Sequence, residues 1–296
     1  MNGWEVNMFQ GSIVALVSPM KEGGELDYAA LKRLIDWHIE NDTDAFVFLG
    51  STGEGICFEE EERAKFLEIA ITHVNKRKPV IAGTGAASTA KTIMLTRQAM
   101  QAGVDACLVV TPYYNKPPQE GLYRHFCSVS EALPFPLILY NVPSRTACDL
   151  LPETVARLSK VTNIVGIKDA TGKLDRLQTM LDLCGNKINY YSGDDPTALD
   201  FMLSGGQGVI SITSNIAPKK MQQLCDAALK NKKDEAKKID DELAQLHKLL
   251  CIESNPIPTK WCLSEMGLIP PGLRLPLIGL SASHHAQLKS ALQRVL

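Results

Sequence analysis

The chain has 296 residues, of which 45% are hydrophobic and 22% are charged, a composition typical of a globular protein with a large core. It excludes disordered and collagen-like classes. Lysine and arginine total 31 against 33 for aspartate and glutamate, and no long basic block is present. We therefore do not expect a nucleic acid as a partner.

The cysteine pattern indicates a reducing compartment. Eight cysteines are scattered along the chain without a Cys-x-x-Cys pair, which is typical of reduced, buried thiols. No apolar run approaches the roughly 18 residues of a membrane span. The segment Met1–Glu5 also lacks the basic start of a signal peptide. We expect a cytoplasmic protein that does not bind a membrane.

Short apolar runs rich in β-branched residues alternate with segments of helical periodicity. The predicted strands begin near Ser12, Ala45, Val80, Ala106, Leu137, Ile164, Ile188 and Gly208. The segment Leu26–Glu40 is a predicted helix with Asp27 as its N-cap. The carboxylates of Glu59–Glu62 suit the start of the next helix, and Pro152 suits the first turn of another.

Eight strand–helix units with strands that are apolar on both faces predict a (β/α)8 barrel, with a doubly wound open sheet as the alternative. The strand pattern stops beyond Leu229, so we predict a barrel of residues 1–229 and a C-terminal helical extension of residues 230–296. The predicted helices of this extension are Asp234–Leu250, Thr259–Met266 and His284–Leu296.

Lys168 follows the apolar run Ile164–Ile167, which is a predicted buried strand. A cation at the edge of a core is costly, and a lowered pKa that leaves a neutral amine relieves this cost. A neutral amine is the form that Schiff-base chemistry with a carbonyl requires. The alternative is a lysine that snorkels to solvent, and this segment alone does not decide between the two.

Polar side chains follow three other predicted strands. In a barrel these strand ends share the face that carries catalytic groups, so hydroxyls, phenols and a guanidinium are expected near Lys168. The segments are Gly50–Gly55, Thr111–Asn115 and Tyr140–Arg145. Each segment also has a purely structural interpretation. Gly50–Gly55 can be a plain turn. In the second segment, Tyr113 and Tyr114 can pack at an interface, and in the third, Arg145 can be an ordinary surface cation.

Cofactor motifs are weak in this sequence. Neither Gly50–Gly55 nor Gly83–Ser88 completes a phosphate-binding loop or a dinucleotide fingerprint. The histidines fall in predicted helices or in the tail rather than at strand ends, where a zinc or iron site needs them. We interpret Asp194 and Asp195 as a helix cap before Pro196 rather than as Mg²⁺ ligands. We therefore expect neither a metal nor a nucleotide cofactor.

Four segments in order resemble the signatures of the pyruvate-dependent class I aldolase superfamily, and most of all those of the dihydrodipicolinate synthase family. They are residues 50–54, 111–117, 139–146 and 166–172, and the similarity extends from Gly11 to the tail. The resemblance implies a lyase in which pyruvate, bound to Lys168 as an imine, condenses with L-aspartate 4-semialdehyde. Lysine biosynthesis through diaminopimelate would be the pathway, and no metal or nucleotide would take part.

The resemblance also implies roles for individual residues. Tyr140, Ser51 and Tyr114 would form a proton relay at the imine, with Tyr114 contributed by a neighbouring subunit. Thr52 would hold the pyruvate carboxylate, and Arg145 the carboxylate of the second substrate. Two further residues would line the pyruvate pocket, Gly193 and Ile210. The active form would be a homo-oligomer, and the family suggests a dimer of dimers.

At Ser51 the chain departs from the threonine common in the family and resembles the related N-acetylneuraminate lyases. An N-acetylneuraminate lyase, or another pyruvate-dependent aldolase of the same superfamily, is one alternative function. A metal-assisted barrel lyase with Glu54, Asp194 or Asp195 as ligands is another. A barrel without catalytic activity is the third. Trapping the imine with pyruvate and borohydride separates an imine enzyme from the metal-assisted and the inactive barrel. A coupled assay with aspartate semialdehyde against N-acetylneuraminate separates the synthase from the lyase.

Many bacterial synthases of this family bind L-lysine as a feedback inhibitor between subunits. The corresponding positions here are Gly55, Ile56, Glu60, Arg63, Ala87, Lys91 and Tyr113. Ala87 replaces an asparagine of the family and Lys91 replaces a glutamate. Because like charges repel at short range, Lys91 disfavours a cationic ligand. We expect lysine inhibition to be weak or absent.

Overall fold

The computed structural model describes residues 9–295. Within this range, parallel strands close into a barrel in the order β1 to β8, and β8 pairs with β1. The strands are β1 (Gly11–Ala15), β2 (Ala45–Phe48), β3 (Val80–Gly83), β4 (Ala106–Val110), β5 (Leu137–Asn141), β6 (Ile164–Asp169), β7 (Asn189–Ser192) and β8 (Gly208–Ser211). The predicted (β/α)8 barrel is confirmed, and the open-sheet alternative is wrong. Every predicted strand start lies within one residue of the observed one.

Helices return the chain between successive strands, and further helices follow β8. They are α1 (Tyr28–Glu40), α2 (Glu60–Val74), α3 (Thr89–Ala102), α4 (Gln119–Ala132), α5 (Pro143–Thr146), α6 (Pro152–Leu158), α7 (Leu174–Cys184), α8 (Ala198–Leu203), α9 (Pro218–Leu229), α10 (Lys233–Leu249), α11 (Ile257–Glu265) and α12 (His285–Val295). Several predicted helix starts are confirmed. The Asp27 carboxylate accepts a hydrogen bond from the Ala30 N–H of α1, and Glu59 and Glu62 form a capping box at α2.

The barrel has two apolar layers because its strands are buried on both faces. Side chains such as Ile13, Val47 and Ile138 fill the interior. The opposite faces of the strands pack with the surrounding helices in a larger apolar cluster. The continuous apolar runs in the sequence follow directly from this double burial.

In the extension, α10 packs against the barrel helices α8 and α9, and α12 packs against α10 and α11. Their observed bounds differ from the predicted ones by one or two residues. Residues of α10, α11 and α12 belong to the same apolar cluster as the outer layer of the barrel. The predicted division into a barrel of residues 1–229 and an extension of residues 230–296 stays a prediction. Residues 1–8 of the first part and residue 296 of the second lie outside the described residues.

All eight cysteines are unpaired, as predicted, and most are buried. No helix within residues 9–295 is both long enough and apolar enough to cross a membrane. The prediction about Met1–Glu5 falls outside the described range.

Candidate active site

Lys168 and Tyr140 are neighbours across the β5–β6 ladder. Lys168 is only 6% exposed, so the snorkelling interpretation is wrong. Its Nζ lies 4.5 Å from the centre of the Tyr140 ring. The parallel register therefore brings a buried amine and a phenol together at the carboxyl end of the barrel, where these folds carry their chemistry.

Gly193, which follows β7, leaves room for the lysine side chain. A Cβ atom at this position would lie 2.7 Å from Lys168 Cε and 2.7 Å from Ala170 Cβ, which is closer than such atoms approach. The Gly193 N–H donates to the Asp169 carbonyl at 2.8 Å, which fixes the backbone. Ile210 of β8 is buried in the interior layer of the same barrel. Both predicted pocket residues thus lie in the barrel that holds Lys168.

Ser51 and Thr52 lie in a tight turn after β2. Leu49 and Glu54, at the two ends of this turn, both adopt left-handed backbone conformations, with φ of 56° and 52°. Such conformations are unfavourable for these residue types and persist only where surrounding contacts hold them. Thr52 is buried, and its Oγ1 accepts a hydrogen bond from Asn255 Nδ2 at 2.9 Å. The turn is therefore fixed by contacts from distant parts of the chain.

Arg145 belongs to the short helix α5 and is exposed, yet it is not an isolated surface cation. Its Nη2 donates to the main-chain oxygen of Asn255 at 3.2 Å. Together with Ser51 and Tyr140 it lines a cavity of about 630 Å³. A guanidinium at such a cavity suits a planar carboxylate, which it can bind through two parallel hydrogen bonds.

The same cavity is lined by six of the predicted regulatory positions, Gly55, Ile56, Glu60, Arg63, Lys91 and Tyr113, whereas Ala87 is not among its lining residues. Lys91 forms an ion pair with Glu60. The Arg63 guanidinium donates to the carbonyls of Gly55 and Gly83 at 2.7 and 2.6 Å. Burial lowers the pKa of Arg63 to about 10. Arg63 thus joins the segment after β2 to the end of β3 by direct hydrogen bonds.

Tyr114 differs from the buried Lys168 in its exposure to solvent. It is 92% exposed and has a left-handed φ of 75°. An exposed tyrosine in a constrained backbone conformation is typical of a residue presented to another molecule.

The acidic residues considered as metal ligands already have other partners. Glu54 pairs with Lys260, and Asp194 Oδ2 accepts from the Thr197 hydroxyl at 2.7 Å. Asp195 Oδ2 accepts from the N–H groups of Ile212 and Thr213 at 2.9 and 3.1 Å. Asp194 occupies the predicted N-cap position of the short turn Asp195–Thr197, although its side chain makes no capping hydrogen bond to the main chain. Helix capping is wrong for Asp195, because its carboxylate binds the N–H groups that follow β8. Within residues 9–295, no three His, Cys, Asp or Glu side chains form a group that could hold a metal ion.

Sequence reasoning missed two residues of the extension that contact the site. Asn255 lies between α10 and α11 and touches both Thr52 and Arg145. Lys260 of α11 is buried against Glu54. In the sequence, only the polar residues around Pro256 hint at a functional role for this segment. They do not indicate which loop of the barrel Asn255 and Lys260 contact.

A closed (β/α)8 barrel with a buried lysine at the end of its sixth strand, beside a tyrosine of the fifth, defines a class I aldolase-type lyase. The chain belongs to the dihydrodipicolinate synthetase family, whose model it matches over residues 8–295. The predicted family and the predicted class of enzyme are therefore confirmed.

Individual relatives agree with this assignment. The chain is 54% identical over 288 residues to the 4-hydroxy-tetrahydrodipicolinate synthase of Coxiella burnetii, covering 97% of this chain and 99% of the relative. The solved structure of a chloride-inhibited dihydrodipicolinate synthase from Acinetobacter baumannii, complexed with pyruvate, is 49% identical. Its TM-score is 0.96, with 97% of this chain and 99% of the other covered. A monomeric dihydrodipicolinate synthase variant is 39% identical with a TM-score of 0.95 and coverages of 98% and 99%. The predicted synthase function is confirmed by these relatives.

Proposed function

We propose that the protein condenses pyruvate with L-aspartate 4-semialdehyde, the reaction of a 4-hydroxy-tetrahydrodipicolinate synthase, through a Schiff base on Lys168. The observation that carries this proposal is the buried Lys168 amine against the ring of Tyr140. The amine attacks the pyruvate ketone, and the carbinolamine loses water to give the imine. Loss of a methyl proton converts the imine to an enamine, whose carbon attacks the aldehyde.

Each predicted site residue has a role in this scheme. Tyr140 moves protons at the carbinolamine, and Ser51 and a partner subunit's tyrosine at position 114 connect it to solvent. Thr52 donates to the pyruvate carboxylate, and Arg145 binds the carboxylate of the second substrate. The pocket around the imine is completed by Gly193 and Ile210.

The proposed assembly follows from the exposure of Tyr114. Tyr114 is 92% exposed whereas Lys168 is buried, so we propose that the relay takes this tyrosine from a second copy and that the assembly is a dimer of dimers. The imine supplies the electrophilic activation, so the reaction needs neither a metal nor a nucleotide. The unpaired cysteines support a cytoplasmic location.

Trapping the imine tests the proposal. Incubation with pyruvate and borohydride, followed by peptide mass analysis, is expected to give a reduced pyruvate adduct on Lys168. The adduct is expected to vanish in Lys168→Met and to remain in Lys160→Met, which changes an exposed lysine of the same region. Absence of the adduct in the unmodified enzyme would defeat the Schiff-base proposal. A coupled assay with aspartate semialdehyde or N-acetylneuraminate then identifies the second substrate.

We further propose that L-lysine inhibits this enzyme weakly or not at all. The Lys91–Glu60 ion pair neutralises the carboxylate that would otherwise attract a cationic ligand at this end of the cavity. Strong inhibition by submillimolar lysine in the coupled assay would contradict this. The Lys91→Glu variant is expected to increase whatever inhibition is seen, because it restores negative charge beside Glu60.

A further inference from the structure

Asn255 contacts both residues proposed to bind substrate carboxylates. It is 8% exposed and lies in the wall of the cavity. Its Nδ2 donates to Thr52 Oγ1 at 2.9 Å, and its Oδ1 accepts from Thr259 Oγ1 at 3.4 Å. Its main-chain oxygen accepts from Arg145 Nη2 at 3.2 Å. One residue of the extension thus bridges two loops of the barrel.

The direction of the hydrogen bond to Thr52 has a chemical consequence. A threonine hydroxyl has one proton to donate and two lone pairs that accept. Because the Asn255 amide donates to the oxygen, the Thr52 proton stays available for another acceptor. Within residues 9–295, the Thr52 hydroxyl makes no other hydrogen bond. The contact from Thr259 to Asn255 Oδ1 holds the amide in the orientation that presents its N–H groups to Thr52.

We propose that Asn255 is a positioning residue that makes the Thr52 hydroxyl a donor toward the carboxylate of pyruvate. The inference rests on the proposed function, since it needs pyruvate beside Thr52. A carboxylate only accepts hydrogen bonds, so a hydroxyl turned toward another acceptor would not bind it. The role of Asn255 toward Arg145 is different, because that contact uses the main-chain oxygen and does not depend on the side chain.

This difference separates the effects on the two substrates. Replacement of the Asn255 amide by the uncharged side chain of alanine is expected to raise KM for pyruvate and to leave KM for the aldehyde unchanged. For Asn255→Ala the rise is about tenfold, the usual size for one lost hydrogen bond in a buried site. Asn255→Asp is expected to raise it further, because a carboxylate accepts the Thr52 proton and repels pyruvate.

The pH dependence identifies the mechanism. Asn255→Asp is expected to have a higher KM for pyruvate than Asn255→Ala. This difference is expected to shrink as pH falls, because the protonated carboxyl no longer repels pyruvate. The new carboxyl has an ordinary pKa of about 3.9, which burial raises. A purely structural defect would raise the KM of both substrates and would not depend on pH in this way.

A double-mutant cycle tests whether Asn255 acts through Thr52. In a Thr52→Val background, Asn255→Ala is expected to change KM for pyruvate less than about twofold, because the hydroxyl it orients is absent. Asn231→Asp makes the same amide-to-carboxylate change at an exposed turn and is the matched control. An unchanged pyruvate KM in Asn255→Ala, or an equal effect in both backgrounds, would overturn the inference. Borohydride trapping on the unmodified enzyme is run in parallel, so that a failure of the Schiff-base proposal is recognised separately.

Discussion

Glu54 and Lys260 form an ion pair from which solvent is almost completely excluded. Glu54 Oε1 lies 2.6 Å from Lys260 Nζ, and both side chains are 1% exposed. The second carboxylate oxygen of Glu54 accepts a hydrogen bond from the Arg274 main-chain N–H at 3.4 Å. Burial lowers the pKa of Lys260. Since Glu54 closes the turn that carries Ser51 and Thr52, the pair joins the extension to the proposed active site.

Removal of one partner of this pair is expected to destabilise the protein strongly. Lys260→Met leaves the Glu54 carboxylate buried without its ion-pair partner, at a cost of roughly 3–5 kcal/mol in the free energy of unfolding. The double variant Glu54→Gln/Lys260→Met removes both charges and is expected to lose less than Lys260→Met alone. Denaturant unfolding measures both values. Equal losses in the single and double variants would show that the buried charge is not the cause.

Gly193→Ala is expected to impair catalysis by displacing Lys168. The new methyl group would lie 2.7 Å from Lys168 Cε, so the amine must move. A displacement of about 1 Å from the productive position can lower turnover about 100-fold. Turnover and borohydride trapping measure the effect. Gly279→Ala is the matched control, because a Cβ atom there has no neighbour within 4 Å. Equal turnover in both variants would contradict the steric argument.

The barrel was predictable because each of its strands is buried on both faces, so that apolar runs such as Ile164–Ile167 carry the signal without any knowledge of partners. The location of the site was also predictable, because a barrel brings the carboxyl ends of its strands to one face. Asn255 and Lys260 were not predictable in this way. They lie 203 and 206 residues from Thr52 and Glu54, and no local periodicity encodes a contact at that separation.

The failed prediction for Asp195 has a similar origin. The pattern Asp-Asp-Pro indicates a helix cap, because acidic residues and proline are common at helix starts. In the fold, this carboxylate accepts hydrogen bonds from the N–H groups of Ile212 and Thr213, which follow β8. The loop after the neighbouring strand thus competes with local capping for this carboxylate, and only the tertiary structure shows which partner it binds.

Tyr114→Phe is expected to lower turnover without changing stability. The hydroxyl is exposed in its own chain and makes no intrachain hydrogen bond within the described residues, so its loss costs the fold nothing. If it completes a partner's relay, turnover falls roughly 100-fold, a common contribution for general acid–base catalysis. Steady-state kinetics and thermal unfolding measure the two effects. Tyr123→Phe on α4 is the control, expected to keep full turnover. Unchanged turnover in Tyr114→Phe would remove the residue from the relay.

His38 is expected to make the protein less stable in acid. Its imidazole is completely buried, with Nδ1 2.9 Å from Thr43 Oγ1, and burial lowers its pKa from 6.5 to about 3. Above pH 6.5 both folded and unfolded chains carry neutral His38, so the group has no effect there. Between pH 6.5 and about 3, only the unfolded chain binds the proton. The free energy of unfolding therefore falls as pH decreases, by about 1.4 kcal/mol per pH unit for this one group.

Substitution of the imidazole tests this directly. In His38→Asn, the amide takes the place of Nδ1 toward Thr43 but does not titrate. The variant is expected to be less stable at pH 8, because the smaller side chain leaves a cavity. Below pH 6.5 its free energy of unfolding is expected to fall less steeply with pH, because unfolding takes up about one proton fewer. Thr43→Val removes the hydrogen bond and keeps the buried imidazole, so it is expected to retain the steep slope. Urea unfolding at intervals from pH 8 to pH 5 gives the three curves. Parallel curves for His38→Asn and the unmodified protein would show that another group governs the acid sensitivity.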